Sequence, residues 1–194
     1  MYENSKQLIT CPNCHSHFAE KGILYYHCKD CGWDSKDNCV DICYSDPLTA
    51  PLSNLFPHTF SFSIEDSNQI ICCASMESFL QSLKIENPTL QIQFAEEYTG
   101  YMAYKARLAL PDWRKHQLLY FGGKSYGRHT QEYQDLITRA YDCLFESNDI
   151  FREIVLPRFK DYTLIHSIGE TNNHETILTD SEYLYQLRRL MDKL

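Results

Sequence analysis

The chain has 194 residues, a hydrophobic fraction of 43% and a formal net charge of -8. This apolar content, with 14 Tyr and 10 Phe, is typical of a folded globular protein and argues against a disordered one. The acidic balance argues against a protein that binds nucleic acid through a generally basic surface, but it does not exclude a local basic pocket. No apolar run approaches the ~20 residues of a membrane span, and the first residues lack the apolar core of a secretory signal, so we expect a cytoplasmic protein.

Four of the nine cysteines form two C-x-x-C pairs, Cys11 with Cys14 and Cys28 with Cys31. In a reducing compartment this spacing favours a metal over disulfides. Four thiolates complete a tetrahedral zinc site and leave no open position, so we predict a structural zinc in a zinc ribbon over residues 1–45. A redox dithiol or unrelated free thiols are the alternative interpretation. The ribbon is not basic, which favours stabilisation or contact with a protein over contact with phosphates.

A proline-containing segment, residues 45–57, marks the start of a second domain that we place at residues 46–194. Alternating apolar side chains predict a hairpin in its first part, from residues 59–64 and 69–73. After Pro88 the pattern becomes mostly helical, and the N-caps of three later helices are predicted at Thr130, Asn148 and Thr179. The predicted fold class is therefore α+β, a mainly helical domain with a small antiparallel sheet, preceded by a small zinc ribbon.

Residues 74–86 carry the pattern of a short helix with a polar stripe. Ser75 has the side chain of an N-cap, and Glu77, Gln81 and Lys84 fall together along one edge of the predicted helix. An acid in the first turn and a base in the last turn also interact favourably with the helix dipole, so the spacing alone does not establish a catalytic role. The face that we predict to be buried carries four apolar residues, Met76, Phe79, Leu80 and Leu83.

The segment from Lys105 to Arg128 is locally basic in this acidic protein, with Asp112 as its one acidic residue. Gly122 and Gly123, directly before Lys124, offer flexible backbone amides beside cations, as anion-binding sites often do. A solvated charged face is the alternative interpretation of the same segment.

Three short motifs of the second domain together resemble the NADAR family, also called YbiA-like. They are Leu52-Ser53-Asn54-Leu55-Phe56-Pro57, Ser75-Met76-Glu77 and Gln81-Ser82-Leu83-Lys84. The similarity continues through DWRKHQLLYFGGKSYGRHTQEYQDLITRAYDCLFESN and TLIHSIGETNNHETILTDSEY, and it covers nearly the whole domain. Where many members of that family carry Trp-Gly, this chain has His166-Ser167-Ile168-Gly169, so the resemblance implies an altered wall on the substrate side.

The resemblance implies an enzyme that hydrolyses the N-glycosidic bond between a ribose and a nitrogenous base. Members of that family are associated with ribosylated pyrimidine intermediates of riboflavin synthesis and with removal of ADP-ribose from guanine in DNA. Glu77 is the candidate catalytic carboxylate, and Lys84 either forms a Schiff base with a ring-opened ribose or holds a phosphate. The candidate substrate-binding residues are Ser53, Asn54, Gln81, Trp113, Lys124, Tyr126, Arg128, His166 and Ser167.

Two other functions agree with the same residues. The pocket of a nucleotide-binding module would recognise ADP-ribose without cleaving it, and an adaptor would use the helical domain only to scaffold a partner. The expected partners are an ADP-ribosylated nucleic acid or a ribosylated small molecule as substrate, with a protein contact through the zinc ribbon and no membrane.

Overall fold

The computed structural model describes residues 39–64 and 69–194 in full, and of residues 19–21 and 26–28 the backbone. Within these ranges the protein is α+β, which confirms the predicted class. The small antiparallel sheet is replaced by four separate two-stranded sheets, of which three are antiparallel and one is parallel. The predicted hairpin is one of these sheets, with Phe60 opposite Cys73.

The strands pair as β1 with β2, β3 with β8, β4 with β5, and β6 with β7. The parallel pair, β3 with β8, joins distant parts of the chain, and Ile42 directly after β3 is fully buried. The range predicted for the zinc ribbon, residues 1–45, therefore includes a strand that packs with the second domain. The bounds are β1 Ala19–Lys21, β2 Tyr26–Cys28, β3 Cys39–Asp41, β4 Phe60–Ser63, β5 Ile70–Cys73, β6 Leu118–Phe121, β7 Lys124–Gly127 and β8 Thr163–Ile165.

Four helical segments begin at the predicted caps, whereas α2 and α3 begin after Asn87 and Thr99, for which no cap was predicted. The side chains of Ser75, Thr130 and Thr179 each accept a hydrogen bond from a backbone amide of the first turn, and Asn148 does the same for Phe151. No helix within the described residues combines the length and the apolar character needed to cross a membrane. The bounds are α1 Met76–Ser82, α2 Pro88–Glu97, α3 Gly100–Ala106, α4 Gln131–Ser147, α5 Leu156–Phe159 and α6 Asp180–Met191, with 3-10 turns at Ala50–Leu52, Arg107–Ala109 and Trp113–Lys115 and a π-helical segment at Phe151–Val155 before α5.

Helix α1 lies at the centre of the domain, in contact with α2, α3, α4 and β5. Its predicted apolar face is buried, as the spacing indicated. The ring of Phe79 lies 5.0 Å from that of Phe62 and 5.5 Å from that of Phe121, measured between centroids. Such tilted and edge-on aromatic contacts add to the stabilisation from burial, so α1 is a rigid support for the side chains on its opposite edge.

The C-terminal end of α1 is held by Gln91, a buried side chain of α2. Its amide nitrogen donates to the carbonyl of Ser82 at 3.2 Å and to that of Ile85 at 3.1 Å. The same nitrogen donates to the carbonyl of Tyr120 in β6, and the Gln91 oxygen accepts from the amide of Gly122 at 3.2 Å. These bonds tie the end of α1 to β6 through one buried side chain, and the Ser82 carbonyl also accepts from the amide of Ile85. The position of α1 relative to β6 follows from them.

Candidate functional site

The polar edge of α1 faces a pocket of about 500 Å³. Glu77, Gln81 and Lys84 all line it, so the stripe predicted from helical spacing is one continuous wall of a cavity. The remaining walls come from residues 53–55, from α3 and the turn after it, from the 3-10 turn at Trp113, and from residues 166–180. A pocket of this size holds a ligand of nucleotide dimensions.

The Glu77 carboxylate is half-buried and is bonded to its neighbour one turn along the helix. Oε1 of Glu77 accepts a hydrogen bond from Nε2 of Gln81 at 3.0 Å. Burial raises the pKa of Glu77, against the lowering effects of the Gln81 hydrogen bond and of the positive charges of Lys84 and Arg107. A carboxyl group with a raised pKa exchanges a proton more readily near neutral pH than an ordinary surface glutamate does.

Lys84 is 8% exposed and lies farther along the same wall. Within the part of the chain that the structure describes, its ammonium group has no hydrogen bond and no ion pair within 4 Å. Burial lowers its pKa to about 8, against the raising effect of Glu77, while Arg114 and Arg107 contribute to the lowering. Lys84 therefore changes charge close to physiological pH and has donors that a ligand is able to use.

Arg107 and Arg114 bring two more positive charges to the pocket. The guanidinium of Arg107 lies 3.6 Å from the ring centroid of Tyr104 and donates to that residue's carbonyl. Arg114 pairs with Glu175, which also lines the pocket, with Nε and Oε2 2.9 Å apart. Both arginines lie close enough to Lys84 for their charges to lower its pKa, so the three side chains form a basic group that suits an anionic ligand group such as a phosphate.

The loop at residues 53–55 is held against α1 and α3. The backbone carbonyl of Asn54 accepts from the amide of Glu77 at 2.9 Å, and its side-chain oxygen accepts from the Tyr141 hydroxyl at 2.7 Å. A Cβ atom at Gly100, the first residue of α3, would lie 2.2 Å from the carbonyl oxygen of Leu55. Only glycine allows α3 to approach this loop so closely, and that approach brings Tyr104 to the pocket.

His166 reaches the pocket from the end of β8. Its Nδ1 lies 2.9 Å from the carbonyl oxygen of Ile42, and its ring packs edge-on against Tyr183. Because a carbonyl oxygen only accepts, Nδ1 carries the proton and Nε2 of the neutral ring is an acceptor. The parallel pairing of β3 with β8 thus sets the orientation of this histidine.

Residues 174–177 form a strap that is held in place by side chains from other parts of the chain. All four consecutive backbone carbonyls of this strap accept a side-chain hydrogen bond. Glu175, Thr176 and Ile177 line the pocket, so the strap is a fixed wall. The bonds run from Gln117 Nε2 to His174 at 3.1 Å, from Arg114 Nε to Glu175 at 3.2 Å, from Arg128 Nε to Thr176 at 2.9 Å, and from the Tyr133 hydroxyl to Ile177.

The structure brings together most of the residues that the sequence singled out and leaves four elsewhere. Lys124 and Tyr126 lie on β7 beside a separate small cavity, and Ser167 bonds to the carboxylate of Asp41. Arg128 is buried in an ion pair with Glu182. Those that line the pocket are Ser53, Asn54, Glu77, Gln81, Lys84, Trp113 and His166.

The glycines before Lys124 have a structural explanation. Gly122 and Gly123 have φ values of 58° and 81° and form the two-residue turn between β6 and β7. Such hairpin turns require positive φ at both central residues, which glycine adopts without strain. Lys124, Tyr126 and Arg128 do not line this pocket, because β7 and the residue after it place them in other parts of the domain.

Several pocket residues were not singled out from the sequence. Arg107 and Arg114 belong to the basic segment that was recognised as a whole, so their charge was a signal but their position was not. Tyr183 lies within the apolar pattern of the last helix, and residues 174–177 lie within the second long stretch of similarity but received no role. The additional charged and aromatic residues of the pocket are Tyr44, Tyr104, Arg107, Arg114, Glu170, Glu175, Asp180 and Tyr183.

The predicted zinc ligands Cys11, Cys14 and Cys31 and the side chain of Cys28 lie outside the described residues. Among the residues that are described, no group of three or more His, Cys, Asp or Glu side chains is arranged to hold a metal ion. The zinc site therefore stays a prediction from spacing, and the pocket has no metal site of its own within the described residues.

A sequence profile for bacteriophage protein GP30.3 matches residues 48–192. The chain belongs to this family. The expected membership of the NADAR, or YbiA-like, family is wrong, because the profile that matches is that of GP30.3. The GP30.3 match spans all the pocket-lining residues except Tyr44. Searches of curated proteins and of solved structures returned no match.

Short motifs misled the family assignment. Each of the three motifs is only a few residues long, and such patterns recur in unrelated chains. Membership of the GP30.3 family carries no roles for Glu77 and Lys84, so any role for them must be argued from the pocket itself.

Proposed function

We propose that this GP30.3-family domain hydrolyses the N-glycosidic bond between a ribose and a base, in an ADP-ribosylated or ribosylated substrate that carries phosphate. The observation that carries the proposal is that Glu77, whose pKa is raised, lines the same pocket as the basic side chains of Lys84, Arg107 and Arg114. Hydrolysis of a ribosyl bond needs a carboxylate beside the sugar and a site that holds the phosphate.

The basic side chains of the pocket suit the phosphate of such a substrate. The side chains of Arg107, Arg114 and Lys84 supply donors for phosphate oxygens. A planar guanidinium group is well suited to bind two oxygens of one phosphate at once. Trp113 is 5% exposed and lines the wall, so it contributes an apolar surface for a base or a sugar.

The reaction then proceeds at C1′ of the ribose. When the bond from C1′ to the base nitrogen breaks, its electron pair stays on the nitrogen and positive charge develops on the sugar. The Glu77 carboxylate stabilises that charge and takes a proton from the water that adds to C1′. The proton passes to the base nitrogen, and the products are the free base and the ribosyl alcohol.

Lys84 has two roles that agree with its surroundings. As an ammonium group it holds the substrate phosphate with the arginines, which is the role we assign to it. As a neutral amine it would add to C1′ of the ring-opened ribosyl group, the bond from C1′ to the base would break with the amine proton passing to the base nitrogen, and water would hydrolyse the resulting imine to free the lysine and the sugar. Borohydride reduction of a reaction mixture separates the two, because only an imine is trapped as a stable adduct on Lys84.

The proposal also includes a zinc site at the N-terminal cysteines. We assign Cys11, Cys14, Cys28 and Cys31 to one structural zinc, on the spacing of the two pairs. The ribbon is acidic, so we assign it a stabilising role or a protein contact instead of a contact with phosphates.

The test is base release from ADP-ribosylated guanine in DNA and from ribosylated pyrimidine phosphates, followed by mass spectrometry. Glu77→Gln is compared with Glu86→Gln, an exposed glutamate just beyond α1. We expect wild type and Glu86→Gln to release base from at least one substrate, and Glu77→Gln to lose at least ~100-fold in rate. Saturable binding of ADP-ribose without turnover would identify a binding module, and absence of both would leave the adaptor.

A further inference from the structure

The side-chain oxygen of Gln81 is buried and has no hydrogen-bond partner. Gln81 is 6% exposed and lines the pocket one turn after Glu77. Its Nε2 is engaged by the Glu77 carboxylate at 3.0 Å, whereas Oε1 has no partner. Among the described residues, Oε1 of Gln81 is the one buried side-chain oxygen in this condition.

The orientation of this amide follows from its neighbour. An ionised carboxylate only accepts hydrogen bonds, so Glu77 requires the NH₂ group of Gln81 and leaves the amide oxygen on the other side. A buried acceptor without a partner is unfavourable, and native proteins rarely retain one without a reason. Because Gln81 lines the pocket, a donor on a ligand would supply the missing hydrogen bond.

A ligand group that donates to Oε1 of Gln81 would lie next to the ligand atom that contacts the Glu77 carboxylate. Because Gln81 is bonded directly to Glu77, a group that meets Oε1 of Gln81 is close to the group that meets the carboxylate. In a ribosyl substrate with C1′ at Glu77, the adjacent carbon is C2′ and it carries a hydroxyl group. The ring oxygen on the other side of C1′ has no hydrogen to donate.

We infer that Gln81 accepts a hydrogen bond from the ribose 2′-hydroxyl and so selects ribosyl over 2′-deoxyribosyl substrates. The inference rests on the proposed function. Hydrogen bonds to the hydroxyl next to the reacting carbon strengthen in the transition state of glycoside hydrolysis. A site built to bond a hydroxyl rejects the analogue without it strongly, because the buried acceptor is then left unpaired.

The test uses one base attached either to ribose 5-phosphate or to 2-deoxyribose 5-phosphate. The deoxy bond is chemically the weaker of the two, so slower enzymatic cleavage of it reports recognition by the protein. We expect wild type to favour the ribosyl substrate by at least ~100-fold in kcat/KM. Gln81→Met, of similar length but without an acceptor, should reduce this ratio to under ~10 by losing activity on the ribosyl substrate.

The ratio of kcat/KM on the ribosyl and deoxyribosyl substrates separates recognition of the 2′-hydroxyl by Gln81 from its effect on the position of Glu77. Gln81→Met also removes the hydrogen bond to Glu77, and that loss affects both substrates alike. Gln93→Met, an exposed glutamine on α2, is the matched control and should keep the wild-type ratio. Equal rates of wild type on both substrates, or an unchanged ratio in Gln81→Met, would overturn the inference.

Binding measurements keep this inference distinct from the proposed reaction. Calorimetry with ribose 5-phosphate and 2-deoxyribose 5-phosphate needs no turnover. If no base is released but wild type binds the ribose compound at least ~10-fold more tightly and Gln81→Met does not, the hydrolase proposal fails and the role of Gln81 stands. If base is released but neither binding nor turnover distinguishes the sugars, the role of Gln81 fails alone.

Discussion

The guanidinium group of Arg128 forms two hydrogen bonds to the Glu182 carboxylate, from Nη1 to Oε1 at 2.9 Å and from Nη2 to Oε2 at 2.5 Å. Arg128 is 1% exposed, and its Nε donates to Thr176 in the strap. Glu182 also accepts from the amide of Thr179, which completes the capping box of α6. This pair therefore joins the end of β7, the strap and the start of α6, and so supports one wall of the pocket.

Arg128→Met should destabilise the protein strongly, since it leaves the Glu182 carboxylate and the Thr176 carbonyl without their partner. Breaking a buried ion pair on one side costs about 3–5 kcal/mol. Urea unfolding followed by circular dichroism measures this loss. Arg158→Met is the control, because Arg158 is exposed and its replacement should change the free energy by no more than about 0.5 kcal/mol. A loss below about 1 kcal/mol for Arg128→Met would contradict the assigned role.

The pairing of Arg128 with Glu182 predicts that the free energy of unfolding decreases in acid. Partial burial acts to raise the pKa of Glu182, but the hydrogen bonds from Arg128 and Thr179 outweigh it, and the pKa lies below its usual 4.5. A carboxyl group with a depressed folded-state pKa stabilises the protein fully above its unfolded-state pKa, and this stabilisation is lost as the pH falls through the folded-state value. Urea unfolding between roughly pH 6 and 3 should show this decrease, and Glu182→Gln should make it shallower. An equally steep decrease in the variant would assign the effect to other carboxylates.

The proposed hydrolysis should have a bell-shaped pH dependence. Activity rises on the acid side as Glu77, whose pKa is raised, loses its proton. It falls above about 8 as Lys84 loses the charge that holds the phosphate. Lys84→Arg should keep activity and extend the profile to higher pH, because arginine stays charged. A rate that instead rises through pH 8, with an inactive Lys84→Arg, would support the imine route.

Gln91→Leu should destabilise the domain by about 2–4 kcal/mol, because it removes the hydrogen bonds of the buried Gln91 side chain to the carbonyls of Ile85 and Tyr120 and from the amide of Gly122. The matched control is Gln93→Leu on the exposed face of α2, expected to stay within about 0.5 kcal/mol of wild type. Thermal and urea unfolding of both variants provide the measurement. If the two variants are equally stable, Gln91 does not hold α1 in place.

The two C-x-x-C pairs should bind one zinc ion per chain. Metal analysis of the purified protein measures the stoichiometry, and Cys14→Ser should reduce it to a small fraction, since three thiolates hold zinc far less tightly than four. Cys72→Ser, an exposed cysteine of β5, should keep the metal. Protein that contains no zinc in the wild type, or that keeps it in Cys14→Ser, would exclude the ribbon.

Local signals predicted several elements because their causes lie within a few residues. Ser75, Thr130 and Thr179 cap helices by bonding to amides three residues ahead, and this pattern is visible in the chain itself. The polar stripe of Glu77, Gln81 and Lys84 follows from the helical period, and the structure places all three on one pocket wall. The sequence therefore predicts that these three side chains share one edge of α1, but it does not predict their roles in the pocket.

Contacts between distant residues were beyond such signals. The charge of Arg128 was evident, but its pairing with Glu182, 54 positions later, depends on how β7 meets α6. In the same way the basic segment is evident in the chain, while the position of Arg107 in the pocket depends on the approach of α3 to Leu55 at Gly100 and that of Arg114 on its contacts with Glu175. Family membership was also misjudged, because three short motifs carry less information than a profile over residues 48–192.

For this protein, the order of residues therefore specifies the helix caps, the hairpin and the side chains that share the edge of α1, since each of these depends on backbone geometry over one or two turns. The composition of the pocket depends on packing. The strap, the pairing of β3 with β8 and the buried pair of Arg128 with Glu182 form only when segments that are far apart in the chain bury their polar groups against each other. That requirement for mutual satisfaction selects which charges face the ligand and which stabilise the fold.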